Sequence, residues 1–275
     1  MNPAELFDLS ERVAILTGGA GLLGQEYAIA LARAGAHVVI ADINRSEADK
    51  LAAKVTSQTG VEALSVETDV SHKVSVEAMV SRALQVFGRA DILVNNAALD
   101  PKFDSQHAND HTNAFEDFPL ELWNQGLAVN LTGMFLCAQA VARPMLSQGK
   151  GIIVNVSSTY GLVGPDQRLY ERDDPNAPRE YKPVIYSVTK SAVFGLTRYL
   201  ATYWAGKNLR VNALTPGGVF SGHDEEFVKR YSYRNPLGRM AQRDEYCGAL
   251  LFLVSDASSY MTGANLVVDG GWTAW

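Results

Sequence analysis

The chain has 275 residues, of which 47% are hydrophobic, enough to bury a sizeable core. Its 30 acidic and 24 basic residues give a net charge of −6, which argues against nucleic acid or an anionic membrane as its main partner. The N-terminal stretch MNPAELFDLSER lacks the basic and apolar regions of a signal peptide, and no apolar run reaches membrane-spanning length. These features predict a cytoplasmic protein without a membrane or nucleic-acid partner.

Short apolar runs alternate with segments of helical periodicity along the chain. The predicted strands are 13–16, 37–41, 63–67, 92–94, 152–156, 209–214 and 266–268. The predicted helices are 22–34, 46–58, 73–87, 120–147, 184–205 and 243–255. This alternation predicts an α/β fold, a Rossmann-like doubly wound parallel sheet of about seven strands with helices on both faces. We expect a single domain over 1–275, with Cys137 and Cys247 as buried free thiols.

The first strand runs into a glycine cluster that opens a helix. Gly19, Gly21 and Gly24 fit G-x-G-x-x-G, in which the glycines permit a tight turn and a close approach to a pyrophosphate. The free N–H groups at the start of the helix would face the phosphates. Such glycines alone are also typical of a loop that needs positive φ. The strand before them and the helix after them favour a dinucleotide site.

An acidic residue ends the second strand. Asp42 lies about 20 residues past the glycines, where a carboxylate accepts hydrogen bonds from an adenosine ribose. A carboxylate there would repel the extra phosphate of NADP, and no Lys or Arg lies among the glycines. NAD is therefore the predicted cofactor, although Arg45 is near enough to leave NADP open.

The third and fourth strands end in polar residues. Asp69 follows the third strand and Asn96 the fourth, at strand ends where open α/β sheets bind ligands. A helix cap at Asp69 and a turn at the asparagines are equally good interpretations. In the polar stretch 100–119, His107 and His111 are four residues apart, but no helix places them on one face. A solvated or substrate-facing loop is favoured, and no metal is predicted.

A tyrosine and a lysine share a helix face beyond the fifth strand. Tyr186 and Lys190 are four residues apart, so that an ammonium can lie near a phenol. A nearby cation favours the phenolate, which brings tyrosine toward usable acid–base strength. A tyrosine and a lysine at this spacing are also common on the solvent-exposed surfaces of helices.

Taken together, these motifs resemble the short-chain dehydrogenase/reductase family over nearly the whole chain. The motifs are TGGAGLLG, Asp42, Asp69-Val70, NNAA at 95–98, Asn130 in AVNLTG, Ser158, YSVTK at 186–190, Pro216-Gly217 and VDGG at 268–271. The resemblance implies that Tyr186 exchanges a proton with the substrate hydroxyl or carbonyl and that Ser158 hydrogen-bonds that oxygen. It implies that Lys190 lowers the Tyr186 pKa and holds the nicotinamide ribose, and that Asn130 holds a water linking Lys190 to solvent.

The resemblance also implies a set of NAD-binding residues, with the nicotinamide amide near Val219 and Ser221. The set is Gly18, Gly21, Leu22, Leu23, Gly24, Asp42, Ile43, Asp69, Val70, Asn96, Ala97, Tyr186, Lys190, Pro216, Gly217, Val219 and Ser221. The glycine spacing resembles the extended subgroup, which acts largely on nucleotide sugars, but NNAA and VDGG favour the short subgroup of about 250 residues. We therefore expect a short-type enzyme with a variant loop.

Two insertions, at about 99–119 and 161–183, flank the expected active-site mouth, and 220–237 corresponds to the family's substrate loop. A polar, sugar-like substrate is predicted because the insertions hold Arg168, Arg172, Arg179, His107 and His111, which suit hydroxyls or a carboxylate. Alternatively, the two insertions are solvent-exposed surface loops or form contacts between subunits. A weaker likeness to bacterial flagellin and surface-sugar modification proteins, from PGGVFSGHDEEF and YGLVGPDQRLYE, points the same way.

The predicted function is NAD-dependent hydride transfer between nicotinamide and a secondary alcohol or ketone in carbohydrate metabolism. The alternatives are a 3-oxoacyl or steroid-type reductase, an NAD-retaining sugar epimerase or dehydratase, and a non-catalytic NAD sensor. The resemblance implies a homodimer or homotetramer, and Trp272 and Trp275 are candidates for burial between subunits. Phe227, Tyr231 and Tyr233 fit either the substrate loop or an amphipathic helix packed on the core.

Overall fold

The computed structural model describes residues 3–100, 113–171 and 180–275. Its strands all run parallel in one seven-stranded sheet, in the order β3-β2-β1-β4-β5-β6-β7. They are β1 Val13–Thr17, β2 His37–Asp42, β3 Ala63–Glu67, β4 Ile92–Asn95, β5 Gly151–Val156, β6 Leu209–Pro216 and β7 Asn265–Val268. The predicted fold class is confirmed, and each strand extends its apolar run by no more than two residues at an end.

The helices are α1 Leu22–Arg33, α2 Arg45–Thr59, α3 Lys73–Phe87, α4 Leu120–Leu127, α5 Gly133–Gln148, α6 Val184–Tyr203, α7 Glu225–Arg234 and α8 Cys247–Val254. Two predicted helices differ from the structure. The helix predicted at 120–147 is interrupted by a π-helical turn, Ala128–Thr132. The last helix begins at Cys247 rather than at 243. Within the 220–237 segment, the Asp224 side chain caps α7 by accepting the Phe227 N–H.

Side chains of the central strands alternate between two apolar layers. From β1, Ala14 and Leu16 face the layer with α1, α2 and α8, whereas Val13 and Ile15 face the layer with α3, α5 and α6. Because both faces of a parallel sheet are covered, its strands are apolar at consecutive positions rather than alternately. This is why uninterrupted apolar runs located the strands in the sequence.

The helical stretch Leu120–Gln148 has the length and average composition of a membrane span, so the expectation that no apolar run reaches that length is wrong. Its α5 portion, however, buries Met134, Cys137, Val141 and Met145 among residues packed on the sheet and neighbouring helices. Length and composition are shared by core helices and membrane spans, so the run is accounted for by this packing.

Trp272 packs within its own chain. Its ring is 1% exposed and stacks on Tyr231 of α7 with centroids 4.2 Å apart, beside Leu169 and Met240. The hypothesis that Trp272 is buried between subunits is therefore wrong, because α7 already covers it. Trp275 is 74% exposed. Both cysteines are free, but only Cys137 is fully buried, since Cys247 is half-buried at the start of α8.

Candidate active site

A cleft of about 860 Å³ opens at the carboxyl edge of the sheet, where β1 and β4 are neighbours. The chain leaves β1 and β4 for opposite sides of the sheet here, which is where open α/β sheets bind ligands. The predicted site residues that line it are Gly18, Gly21, Leu22, Leu23, Asp42, Ile43, Asp69, Val70, Asn96, Ala97, Ser158, Tyr186, Lys190, Pro216, Gly217, Val219 and Ser221. Gly24 and Asn130 are buried behind its walls.

The turn after β1 presents the start of α1 to this cleft. Gly21 is the cap residue, has extended backbone geometry and makes no side-chain capping bond. The first N–H groups of α1 are therefore placed to meet an anion. Asp42, at the end of β2, fixes this glycine turn in place, because its Oδ2 accepts the Ala20 N–H at 2.9 Å. Arg45 was the residue that kept NADP as a possible cofactor. Its Nε lies 2.8 Å from Oδ1 of Asp49, with which it forms an ion pair.

Thr17 joins the ends of β1 and β4, a role that the sequence analysis missed. Its Oγ1 accepts the backbone N–H groups of Asn96 and Ala97, each at 3.1 Å. The Asn96 side chain in turn donates to the Gly18 carbonyl at 3.0 Å. The asparagine is therefore more than a turn residue, because it ties the glycine turn to the neighbouring strand.

Asp69 forms the turn that leads into α3. Its Oδ1 accepts the Ser71 N–H at 2.9 Å and the Ser71 hydroxyl at 2.6 Å. Burial acts to raise the Asp69 pKa, but the hydrogen bonds from Ser71 and His72 outweigh it and leave the pKa lowered. Asp69 is thus a turn residue in the cleft wall and not the cap of α3, whose N-cap position is His72.

Ser158, Tyr186 and Lys190 meet at the centre of the cleft. Ser158 follows β5 and hydrogen-bonds Tyr186, while Lys190, one turn along α6 from Tyr186, donates to the Val156 carbonyl at 2.9 Å. The Lys190 Nζ lies 5.8 Å from the centre of the Tyr186 ring. The predicted helix face therefore brings the phenol and the ammonium into one site.

The pKa of Tyr186 shifts opposite to the expected direction. Burial raises the Tyr186 pKa, the Asp100 carboxylate raises it further, and the hydrogen bond with Ser158 opposes both. Burial also lowers the Lys190 pKa to about 8. The expected lowering by Lys190 is therefore not found: desolvation of the phenol is the main influence on this pKa, and Lys190 is not among the groups that shift it.

Asn130 lies in the π-helical turn and is fully buried. Its Oδ1 accepts the Leu99 N–H at 2.6 Å, and its Nδ2 donates to the Leu99 carbonyl at 2.9 Å and to Thr189 Oγ1 at 3.2 Å. Asn130 thus fixes the chain just after NNAA against α6. Its implied role as a water ligand stays a prediction.

An ion pair that sequence patterns did not indicate lies against the Tyr186 ring. Lys182 Nζ lies 4.1 Å from the centre of the Tyr186 ring and 2.5 Å from Asp100 Oδ2, and both charged residues line the cleft. Lys182 precedes α6, so helical spacing could not place it beside Tyr186. Asp100 approaches from the other side of the cleft, after β4. Only the tertiary fold brings these two residues together.

The second insertion, as far as it is described, does not supply the expected arginine to the cleft. Arg168 is bound to Asp166, with its Nη2 2.7 Å from Oδ2, and it is absent from the cleft wall, which contradicts its predicted place. His107, His111, Arg172 and Arg179 lie outside the described residues. Among the described residues, no group of three or more His, Cys, Asp or Glu side chains could hold a metal ion.

A tyrosine of α7 hydrogen-bonds the loop that follows β6. Gly218 donates its N–H to the Tyr231 hydroxyl at 2.6 Å, while Val219 pairs with Ala241. Tyr231 and Phe227 line the cleft, whereas Tyr233 is 92% exposed, so the amphipathic-helix interpretation holds for the first two only. The segment is both a helix and a wall of the cleft.

Known proteins are similar to this chain over nearly its whole length. A family profile described as short chain dehydrogenase matches residues 12–170, and one described as enoyl-(acyl carrier protein) reductase matches residues 176–273. The crystal structure of a gluconate 5-dehydrogenase from Burkholderia cenocepacia J2315, in complex with NADP and tartrate, is 32% identical. It superposes with a TM-score of 0.86 and covers 99% of both chains.

Two curated relatives are similar over nearly their whole lengths. Cis-4-hydroxycyclohexanecarboxylate dehydrogenase from Sinomonas cyclohexanicum is 36% identical over 96% of this chain and 98% of its own. NAD-dependent glycerol dehydrogenase from Listeria innocua is 33% identical over 97% and 96%. The likeness to flagellin and surface-sugar modification proteins finds no support among these relatives. With both parts of the chain matched and its fold shared, the chain belongs to the short-chain dehydrogenase/reductase family and is an oxidoreductase of CH–OH groups.

Proposed function

We propose that this protein is an NAD-dependent dehydrogenase of a small polar secondary alcohol, one that carries several hydroxyls or a carboxylate. The observation that carries the proposal is the meeting of Ser158, Tyr186 and Lys190 in the same cleft as the glycine turn and Asp42. Relatives named for glycerol and for a hydroxycyclohexanecarboxylate support a small polar substrate. The ionic wall at Asp100 and Lys182 supports it too, because steroid and acyl chains favour apolar walls.

The residues present fit a nicotinamide dinucleotide. A Cβ at Gly24 would lie 2.2 Å from the Gly18 carbonyl oxygen, so this turn must pack closely, as in a pyrophosphate cradle. Leu22 and Leu23 at the start of α1 would meet the phosphates, and Asp42 the adenosine ribose. The loop from Pro216 would hold the nicotinamide end.

The protein's part in oxidation is proton transfer and orientation. Tyr186 Oη accepts the proton of the substrate hydroxyl, and Ser158 donates a hydrogen bond to the same oxygen. The ammonium of Lys190 stabilises the phenolate and is held in place by the Val156 carbonyl. The bound cofactor supplies the hydride acceptor for the carbinol carbon. In ketone reduction Tyr186 returns the proton.

The first experiment measures NADH formation from NAD, with NADP in parallel, against polyols, hydroxy acids, steroids and hydroxyacyl compounds. We expect NAD-linked oxidation of polar alcohols. Turnover confined to steroid or acyl alcohols would contradict the proposed substrate class. Tightly bound NAD without net NADH release would favour an epimerase or dehydratase instead.

Asp42→Asn is expected to weaken the preference for NAD. The amide oxygen can still accept the Ala20 N–H, whereas the charge that would repel the ribose phosphate of NADP is lost. We expect the ratio of kcat/KM for NAD to that for NADP to fall roughly tenfold, about 1.4 kcal/mol. Glu47→Gln removes an exposed acid of α2 and serves as the control. An unchanged ratio in Asp42→Asn would refute the assignment of Asp42.

Asp100→Asn is expected to shift the pH dependence of oxidation toward lower pH. Oxidation needs the phenolate, so kcat/KM, which reports the free enzyme, rises as pH passes the Tyr186 pKa. The Asp100 carboxylate raises that pKa, and its removal also leaves Lys182 unpaired beside the ring. Both changes favour the phenolate. The measurement is kcat/KM against pH, with exposed Asp117→Asn as control, and an unchanged rising limb or one shifted to higher pH would contradict this role of Asp100.

A further inference from the structure

Two cations line the described part of the cleft, and they have different surroundings. Apart from histidines, the positively charged residues of the described cleft wall are Lys182 and Lys190, with no arginine among them. Lys190 is 2% exposed and donates to the Val156 carbonyl at the cleft floor. The proposed mechanism uses it to stabilise the phenolate of Tyr186. Lys182 is the cation that this mechanism leaves without a role.

Lys182 is held in place by its neighbours on both its backbone and its side chain. Its N–H donates to Gln167 Oε1 at 2.9 Å, and its carbonyl accepts from Gln167 Nε2 at 3.4 Å. The ammonium lies 4.1 Å from the centre of the Tyr186 ring and 5.8 Å from that of Tyr160, distances at which aromatic faces attract cations. The charge is thus fixed against the group that is to exchange the proton.

Within the described part of the chain, the ammonium of Lys182 has hydrogen-bonding capacity to spare. An ammonium has three N–H donors, and the hydrogen bond that the described residues give Lys182 Nζ is the one to Asp100. The Lys182 side chain is 13% exposed, whereas that of Asp100 is 36% exposed. Asp100 can therefore turn into solvent at small cost, but Lys182 cannot. A ligand oxygen in the cleft can take the place that Asp100 gives up.

We propose that Lys182 binds the carboxylate of the substrate, so that the enzyme acts on a hydroxy acid, and that Asp100 holds the same ammonium when substrate is absent. This inference rests on the proposed function and narrows its substrate class. A carboxylate meets the spare donors with hydrogen bonds in which both partners are ionised, whereas a neutral hydroxyl contributes no charge of its own. Lys182 is then a specificity-determining residue, and Asp100 competes with the substrate for it.

Binding is measured by calorimetry in the presence of NADH, which does not oxidise an alcohol, with three matched pairs of probes. The pairs are gluconate and glucitol, tartrate and threitol, and 4-hydroxycyclohexanecarboxylate and its carboxamide. We expect the wild-type protein to bind the acid at least tenfold more tightly than its neutral counterpart in one pair or more. Lys182→Met should abolish that preference, whereas Lys182→Arg should keep part of it.

Asp100→Asn gives an independent arm, since loss of the competing carboxylate should strengthen acid binding. Lys50→Met, at an exposed lysine of α2, is the matched control, and thermal unfolding checks that each variant is folded. A wild-type protein that prefers the neutral member of every pair overturns the inference, as does a Lys182→Met protein that keeps the acid preference. Weaker binding of acids and polyols alike to Asp100→Asn would make Asp100 a hydroxyl acceptor and also overturn it.

The two proposals fail in different ways. NAD-linked oxidation of polyols without a Lys182-dependent acid preference would leave the proposed function standing and remove the inference. An acid preference that depends on Lys182, without NAD-linked oxidation of any polar alcohol, would leave Lys182 as a carboxylate-binding residue and remove the proposed reaction.

Discussion

Tyr186→Phe is expected to reduce NAD-linked oxidation by about 10²–10⁴-fold, the usual contribution of a positioned general acid–base group. The phenyl ring still fills the space beside Lys182, but no oxygen remains to take the substrate proton or to hydrogen-bond Ser158. NAD affinity should change little, because the glycine turn and Asp42 lie elsewhere in the cleft. Steady-state NADH formation measures the first effect and calorimetric titration with NAD the second.

The matched control for this variant is Tyr260→Phe, at a tyrosine that is fully exposed between α8 and β7. It removes the same hydroxyl from the same residue type, so its activity should equal that of the wild-type protein. A Tyr186→Phe protein that retains more than a tenth of wild-type activity would refute the assignment of Tyr186 as the acid–base group.

Gly24→Ala is expected to weaken NAD binding at least 100-fold. The added Cβ would lie 2.2 Å from the Gly18 carbonyl oxygen and 2.6 Å from that of Gly19, and both are backbone atoms that cannot rotate away. The turn must therefore open, which moves the phosphate-facing N–H groups of α1 and costs about 1–3 kcal/mol of stability, as overpacking generally does. Titration with NAD and urea unfolding measure the two effects.

Gly195→Ala makes the same chemical change in the middle of α6, where a Cβ meets no atom within 4 Å. Alanine is the better helix former, so this variant should gain up to about 1 kcal/mol of unfolding free energy and bind NAD normally. Should Gly24→Ala behave like Gly195→Ala, the close packing of the glycine turn would have no part in cofactor binding.

The sequence alone determined the sheet, because local patterns carry that information. A strand covered on both faces is mostly apolar at consecutive positions, and the run at β1 is one of several that predicted strands to within two residues. The spacing of Tyr186 and Lys190 was equally informative, since both lie on one helix whose period fixes their relation. The glycine turn was predictable because its residues are contiguous and their conformational demands are local.

What only the tertiary structure decided depends on residues far apart in the chain. Lys182 and Asp100 meet across the cleft from segments with no common period, and α7 covers Trp272 from outside the sheet. The rise in the Tyr186 pKa likewise comes from burial by several elements together, which no local pattern encodes. Secondary structure and motifs follow from short-range geometry. Desolvation, ion pairs and side-chain stacking are determined only when segments that are distant in the chain pack against one another.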